Sequence, residues 1–274
     1  MKSVFVMATD LNLLMLEVED VVRQAGALLL SHFRTDDLIV MDKSAGNPVT
    51  EADLASEKFL VTNLGKLLPH ASFFTEESLH NLSDGYSWVI DPLDGTVNFS
   101  RGLDYFCISV ALAYQNKPIL GCIYRPVGDE FFSAINNHGS FLKSEKKSIR
   151  LCVRSGITLD KAFASICLPY KNGGFDSAIA VFGSLAHSCY AVRKMGSAAL
   201  DQAYVACGRL DVSVLMNLGW WDVAAGMLLI EEAGGVVTDF SNAPIGPDYK
   251  SYLATSPLLH KQVQHLLYSI DITF

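Results

Sequence analysis

Trp88-Val89-Ile90-Asp91-Pro92-Leu93-Asp94-Gly95-Thr96-Val97-Asn98-Phe99 is the stretch on which the reading of this 274-residue chain turns. An apolar run stops on one aspartate, and a second aspartate follows three residues later. Val89 and Ile90 suit a buried strand, Pro92 has no N–H to give to a sheet ladder, and Gly95 allows backbone conformations that a side chain resists. The pattern predicts a strand ending at Asp91 and a sharp turn between Asp91 and Asp94. Such a turn gathers two carboxylates and the Leu93 carbonyl, the oxygen ligands that hard cations such as Mg²⁺ take. Past it, the N–H groups of Gly95 and Thr96 leave the strand and suit an anion. A competing reading is local: Asp-Pro and Asp-Gly are common turn dipeptides whose carboxylates cap their own backbone.

Composition narrows the field. Half of the residues are hydrophobic, enough to bury a large core, either in one big domain, 1–274, or in two closely joined halves that meet near residue 150. No stretch approaches twenty uninterrupted apolar residues, and the apolar centre of residues 1–10 is too short for a signal peptide, so the expected location is the cytoplasm. The six cysteines are scattered without a Cys-x-x-Cys pair and read as reduced core residues. A net charge of −8 argues against general nucleic-acid binding, which needs a basic footprint. A small phosphorylated substrate stays compatible, because bound cations invert the local field.

Residues 10–33 carry Leu14, Val18, Val21, Val22, Ala25, Leu28 and Leu29 at helical spacing behind a Thr9/Asp10 cap. Lys43-Ser44-Ala45-Gly46-Asn47-Pro48 reads as a mobile, turn-rich loop, and Thr50-Glu51-Ala52-Asp53 opens a second helix running to about Leu68. Asp53 has two candidate roles: partner of Thr50 in a capping box, or a carboxylate aimed into a site at a hydroxyl or a water. A short strand over 71–75 ends on Glu76-Glu77, which are either ligands reaching the Asp91 site or solvated loop charges.

From 105 to 142 the pattern is a β-meander, with runs at 105–114, 119–124 and 131–135 separated by turn residues. The charged stretch 143–147 is the expected surface crossing between the halves. Strands and helices then alternate: strand 162–168, helix 176–190, a small-residue helix 198–206 ended by Gly208, strand 210–214, helix 220–233, strands 236–238 and 252–255, and helix 257–267. Asp222, after two tryptophans at the expected helix start, is either an N-terminal cap or a rigid metal ligand.

Asn47-Pro48-Val49-Thr50-Glu51-Ala52-Asp53, Glu76-Glu77-Ser78, the 88–99 stretch, and Trp221-Asp222-Val223-Ala224-Ala225-Gly226 followed by Glu232-Ala233-Gly234-Gly235 together resemble the inositol monophosphatase family, in order and across nearly the whole chain. The resemblance implies an α+β fold, layered as an α-β-α-β-α sandwich, with Mg²⁺ dependence, lithium sensitivity and commonly a homodimer. It assigns one metal to Glu76, Asp91 and the Leu93 carbonyl, a second to Asp91, Asp94 and Asp222, and a third, weaker one near Glu76. It makes Asp53 and Thr96 the pair that orients and deprotonates the attacking water, and gives the phosphate to the Gly95 and Thr96 amides. It places Arg193, Gly196, Ser197, Ala198, Asp94 and Asp222 against the substrate. One position departs from the pattern: seven residues before Asp222, inositol-specific members carry a glutamate that binds ring hydroxyls, and this chain has Leu215. The expected activity is Mg²⁺-dependent hydrolysis of a small phosphate monoester, by default inositol 1-phosphate. The alternatives within the class are a 3′(2′),5′-bisphosphate nucleotidase or another sugar or histidinol phosphatase. Outside it stands a binding partner in an RNA or transcription complex.

Overall fold

Asp10 accepts the Asn12 N–H at 2.9 Å and so caps helix α1, Leu11–His32, whose apolar stripe buries Val18, Val22, Ala25 and Leu29. The computed structural model describes residues 10–35, 38–44, 47–78, 80–144, 147–168 and 174–272. A hairpin of β1 (Val40–Ser44) and β2 (Asn47–Thr50) leads into α2 (Glu51–Leu67). Of the Lys43–Pro48 stretch, Lys43 and Ser44 end β1 and Asn47 and Pro48 begin β2 of this hairpin, and Ala45 and Gly46 lie outside the described residues.

The large sheet follows: β3 (Ser72–Thr75), β4 (Tyr86–Asp94), then α3 (Thr96–Ser100), β5 (Cys107–Tyr114), β6 (Lys117–Arg125), β7 (Glu130–Ile135), β8 (Gly139–Ser144) and β9 (Lys147–Arg150). These strands lie side by side in chain order, and every pairing is antiparallel except β3 with β4. The sheet is buried on both faces. Trp88 and Ile90 of β4 pack toward α1 and α2 with Leu60 and Val18, whereas Val89 between them packs into a separate core. Alternation along the pleat thus explains why this strand reads as an unbroken apolar run.

The second half contains β10 (Phe163–Cys167), α4 (Phe175–Ser188), β11 (Ala191–Arg193), α5 (Ala198–Ala206), β12 (Val212–Met216), α6 (Ala224–Glu232), β13 (Val236–Thr238), β14 (Ser251–Thr255) and α7 (Pro257–Tyr268). Its five strands run in the order β11-β10-β12-β14-β13. Helices α5 and α6 supply Ala203, Leu228 and Ile230 to the core shared by Val89, Ile123 and Phe132 of one sheet and Leu215 and Tyr252 of the other. On the far face, Val181 and Leu185 of α4 and Leu259 and Val263 of α7 cover Ile166, Val214 and Leu253. The layers are α1/α2, sheet, α5/α6, sheet, α4/α7: the α-β-α-β-α sandwich. No described helix is long and apolar enough to cross a membrane.

Four local expectations change. Strand β4 does not stop at Asp91 but continues to Asp94, with Asp91 opposite Ser109 and Asp94 opposite Cys107, so that β4 carries one extra residue there. A bulge of this kind accommodates Pro92, which cannot donate to the ladder, and re-aims the side chains around it. The charged 143–147 stretch is no crossing: Ser144 pairs with Lys147 across the β8–β9 hairpin, and Glu145 and Lys146 lie outside the described residues. The chain passes between the sheets after β9, where buried Leu151 and Val153 are held beneath α6 and the Val153 N–H donates to the Ala233 carbonyl at 3.0 Å. The 220–233 segment opens as a 3₁₀ turn, Trp220–Asp222, and becomes α-helical only at Ala224. Among the cysteines, all free, Cys152 is exposed rather than in the core.

Candidate active site

The bulge in β4, the bend after β3, the start of α5 and the Trp220–Asp222 turn converge on one cleft of about 780 Å³. Oxygen atoms of Asp91, Asp94 and Asp222 lie within 4.8 Å of one another, a group that could hold a metal ion. Asp91 is buried at 1% exposure and Asp94 at 8%. Glu76 lines the same cleft, brought there because its N–H donates to the Ile90 carbonyl at 3.1 Å, next to Asp91.

Each carboxylate is fixed by groups that leave it little freedom. Asp91 Oδ1 accepts the Leu93 N–H at 3.0 Å, so the local capping reading is true of this residue and compatible with a ligand role. Asp94 Oδ2 accepts the Ser197 hydroxyl at 2.7 Å and the Ala199 N–H at 2.6 Å, which ties β4 to the start of α5. Asp222 Oδ2 accepts the Gly219 N–H at 2.6 Å. The turn bearing it is clamped from outside: Gln202 Nε2 donates to the Asp222 carbonyl at 2.7 Å, and the Ser109 hydroxyl donates to the Trp221 carbonyl at 3.2 Å.

Asp53 uses its two oxygens differently. Its Oδ2 accepts the Thr50 N–H at 2.9 Å in a capping box, while its Oδ1 accepts the Thr96 hydroxyl at 2.9 Å. The Thr96 oxygen lies 3.1 Å from the Leu93 carbonyl as well. Asp53 is fully buried and bonded to Thr96, which lines the cleft. Gly95 sits at φ +100°, and a β-carbon there would come within 3.0 Å of the Tyr105 carbonyl oxygen, so the backbone beside Asp94 can approach a ligand only as glycine.

Burial dominates the electrostatics. It pushes Asp53 up to about 6, with Glu76 adding repulsion. Asp91 is raised well above the usual carboxylate range by burial and then by Glu76, Asp94 and Asp222. Asp94 rises to about 6, again chiefly by burial, against the Ser197 and Ala199 hydrogen bonds. Carboxylates crowded in this way resist ionising together, and a divalent cation relieves that penalty. The donor set of carboxylate and carbonyl oxygens therefore fits a hard cation.

The substrate segment is only partly where expectation put it. Gly196 and Ala198 line the cleft, whereas Ser197 is buried against Asp94. Arg193 does not line it: it ends edge strand β11, and its guanidinium stacks on the Phe163 ring at 5.3 Å in a separate surface hollow. Lys194, one residue on, faces the cleft instead. Leu215 lies at 0% exposure in β12, opposite Cys167 and Tyr252, and Asn217 is the polar side chain of that segment at the cleft.

Two supports were not singled out from sequence. Asn98 Nδ2 donates to the Tyr105 and Met195 carbonyls, each at 2.8 Å, and packs against Gly196, so it joins the motif strand to the α5 approach. Gln202, itself held by the Tyr252 hydroxyl at 2.7 Å, braces the Asp222 turn. Asn98 was visible as a polar residue inside the motif; Gln202 gave no signal beyond being polar in a small-residue helix.

The family model for the inositol monophosphatase family matches residues 13–270. A Nus factor SuhB of Pasteurella multocida strain Pm70 is 34% identical over 245 residues, 88% of this chain and 90% of its own. An inositol monophosphatase of Dictyostelium discoideum is 33% identical over 255 residues, 90% of this chain and 92% of its own. Among solved structures, the extragenic suppressor protein suhB from Bartonella henselae superposes with a TM-score of 0.86 at 31% identity, covering 93% of this chain and 98% of the other. With its sandwich fold and clustered carboxylates, this chain belongs to the inositol monophosphatase family, and it is a phosphatase.

Proposed function

We propose that the chain hydrolyses a small phosphate monoester with an activated water, using two to three Mg²⁺ ions held by its carboxylate wall. The observation that carries this reading is the Asp91-Asp94-Asp222 cluster, with oxygens within 4.8 Å of one another, beside the Asp53–Thr96 pair. Glu76, Asp91 and the Leu93 carbonyl would hold one ion, Asp91, Asp94 and Asp222 a second, and the neighbourhood of Glu76 a third. Cations held there would lower the pKa of a bound water and stabilise charge on the phosphoryl and leaving oxygens.

The chain's own groups do the rest. The Thr96 hydroxyl, donating to Asp53, turns its lone pairs toward the cleft and accepts a hydrogen from the water that attacks phosphorus. Asp53, its carboxyl raised by burial to about 6, sits near the range in which a general base works at neutral pH. The Gly95 and Thr96 amides hold phosphate oxygens. Gly196 and Ala198 bound the space for the leaving group. Lithium sensitivity, a homodimer and a cytoplasmic location follow from the same family likeness.

Phosphate release tests the reading. The panel is inositol 1-phosphate, the default ester, with adenosine 3′,5′-bisphosphate, fructose 1,6-bisphosphate and histidinol phosphate, assayed with Mg²⁺, with EDTA and with added Li⁺. Turnover that requires Mg²⁺ and falls with Li⁺ is expected. The absence of release from a folded sample would overturn it. A second reading, partner in a transcription complex, is favoured by the name Nus factor that the Pasteurella relative carries. A cellular phenotype that persists in a catalytically dead variant would identify it.

A further inference from the structure

The part of the cleft lined by residues other than the carboxylates differs from what a neutral polyol requires. A ring bearing several hydroxyls needs several acceptors, and each hydroxyl left unpaired in a closed site costs about 1–3 kcal/mol. Leu215 of β12 is sealed in the core and offers the cleft no acceptor. Asn217, held by its N–H donating to the Lys250 carbonyl at 2.9 Å, is the amide side chain left on that side. The same cleft is also lined by apolar Leu168, Phe175, Met195 and Leu218.

Lys194 stands among them. It is the one cation among the described residues lining the cleft, it is exposed, and among those residues it makes no ion pair or hydrogen bond. The metal side already carries Glu76, Asp94 and Asp222. An ammonium that has no partner among the described residues, in a cleft also lined by Phe175 and Leu218, matches an anionic group on the leaving portion of the substrate together with an apolar or aromatic face.

Resting on the phosphatase reading above, we propose that Lys194 is a specificity-determining residue that recognises a second anionic group on the leaving portion of the substrate. The physiological ester is then a phosphate monoester carrying a further phosphate or carboxylate and an apolar face, rather than a neutral polyol phosphate.

Two matched pairs of esters differ by one anion: glycerol 2-phosphate with 2-phosphoglycerate, and adenosine 3′-monophosphate with adenosine 3′,5′-bisphosphate. With Mg²⁺, the protein is expected to prefer the doubly anionic member of each pair, and the adenosine pair over inositol 1-phosphate. Lys194→Gln should lower the kcat/KM ratio within each pair by roughly tenfold or more, mostly through KM, as loss of one charge-assisted hydrogen bond does. Lys194→Glu should reverse the preference. Lys194 is exposed, so both variants are expected to fold, and an unchanged melting temperature checks this. Ratios that do not move in either variant, or a wild-type preference for inositol 1-phosphate, overturn the inference and leave the phosphatase reading standing. No release from any ester overturns both.

Discussion

The two walls of the cleft are built to opposite rules. On one, Asp53, Asp91 and Asp94 are buried, and the Thr50, Leu93, Ser197 and Ala199 groups fix their oxygens. On the other, Lys194 and Phe175 are exposed, and Asn217 is held by its backbone. The contrast separates the reaction from its selectivity. Positioning of cations and water demands a rigid, preorganised frame whose charge repulsion is overcome by the ions. Recognition of the leaving group needs less, and a single residue can change it.

The largest test of the contrast is Asp91→Asn. It removes one ligand charge from the shared position, and kcat is expected to fall about a thousandfold or more. The same variant, without metal, should melt at a higher temperature than the wild type, because it relieves the repulsion among Glu76, Asp91, Asp94 and Asp222. Loss of activity together with loss of metal-free stability would mean that Asp91 is structural and would merge the two walls into one account.

Next comes pH. Folded Asp53 and Asp94 sit near 6, and burial together with the neighbouring carboxylates raises Asp91 well above the ordinary value of 3.8. The folded metal-free protein thus retains protons that the unfolded chain releases between about pH 4 and 6, so stability is fullest below that window and declines as pH rises through it. Thermal melts in EDTA should therefore fall from pH 5 to pH 8. Mg²⁺ should restore about 5 °C or more at pH 8 and much less at pH 5. A gain from Mg²⁺ that is equal at both pH values would refute the idea that these carboxylates hold the ion.

The smallest effect belongs to the joint between the walls. Asn98→Ala leaves the Tyr105 and Met195 carbonyls without their donor, a loss of about 1–3 kcal/mol of stability. Because Met195 and Gly196 border the leaving-group side, KM should rise more than kcat falls. Denaturant melts and steady-state kinetics read both numbers, and a variant that changes kcat alone would place Asn98 with the reacting groups.

Much of this was legible in the chain because it is local. The spacing of Leu14, Val18, Val22 and Ala25 made α1, the Thr50/Asp53 pair capped α2, and turn residues such as Asn136-Asn137-His138-Gly139 separated the strands of the meander. For Asp53 and Asp91 a cap and a place at the site are not exclusive, since one carboxylate has oxygens for both. The Asp91–Asp94 turn proved to be a bulge, because whether Pro92 ends a strand or is absorbed by an extra residue depends on β5 across the sheet. Arg193 and Lys194 are adjacent, and which of two neighbours faces a cleft is a question of one step in a strand; stacking of Arg193 on Phe163 decides it.

The sequence by itself determined the carboxylate inventory, the glycine beside it, the family and the order of the elements, because these rest on residue type and short-range spacing. Only the tertiary structure decided that Leu215 faces the core, that Asn98 and Gln202 brace the site, and that Lys194 is the one cation lining the cleft among the described residues. Those outcomes depend on residues from 20 to about a hundred positions apart packing together, as in Asn98 with Met195 and Gln202 with Asp222, and no local pattern carries that information.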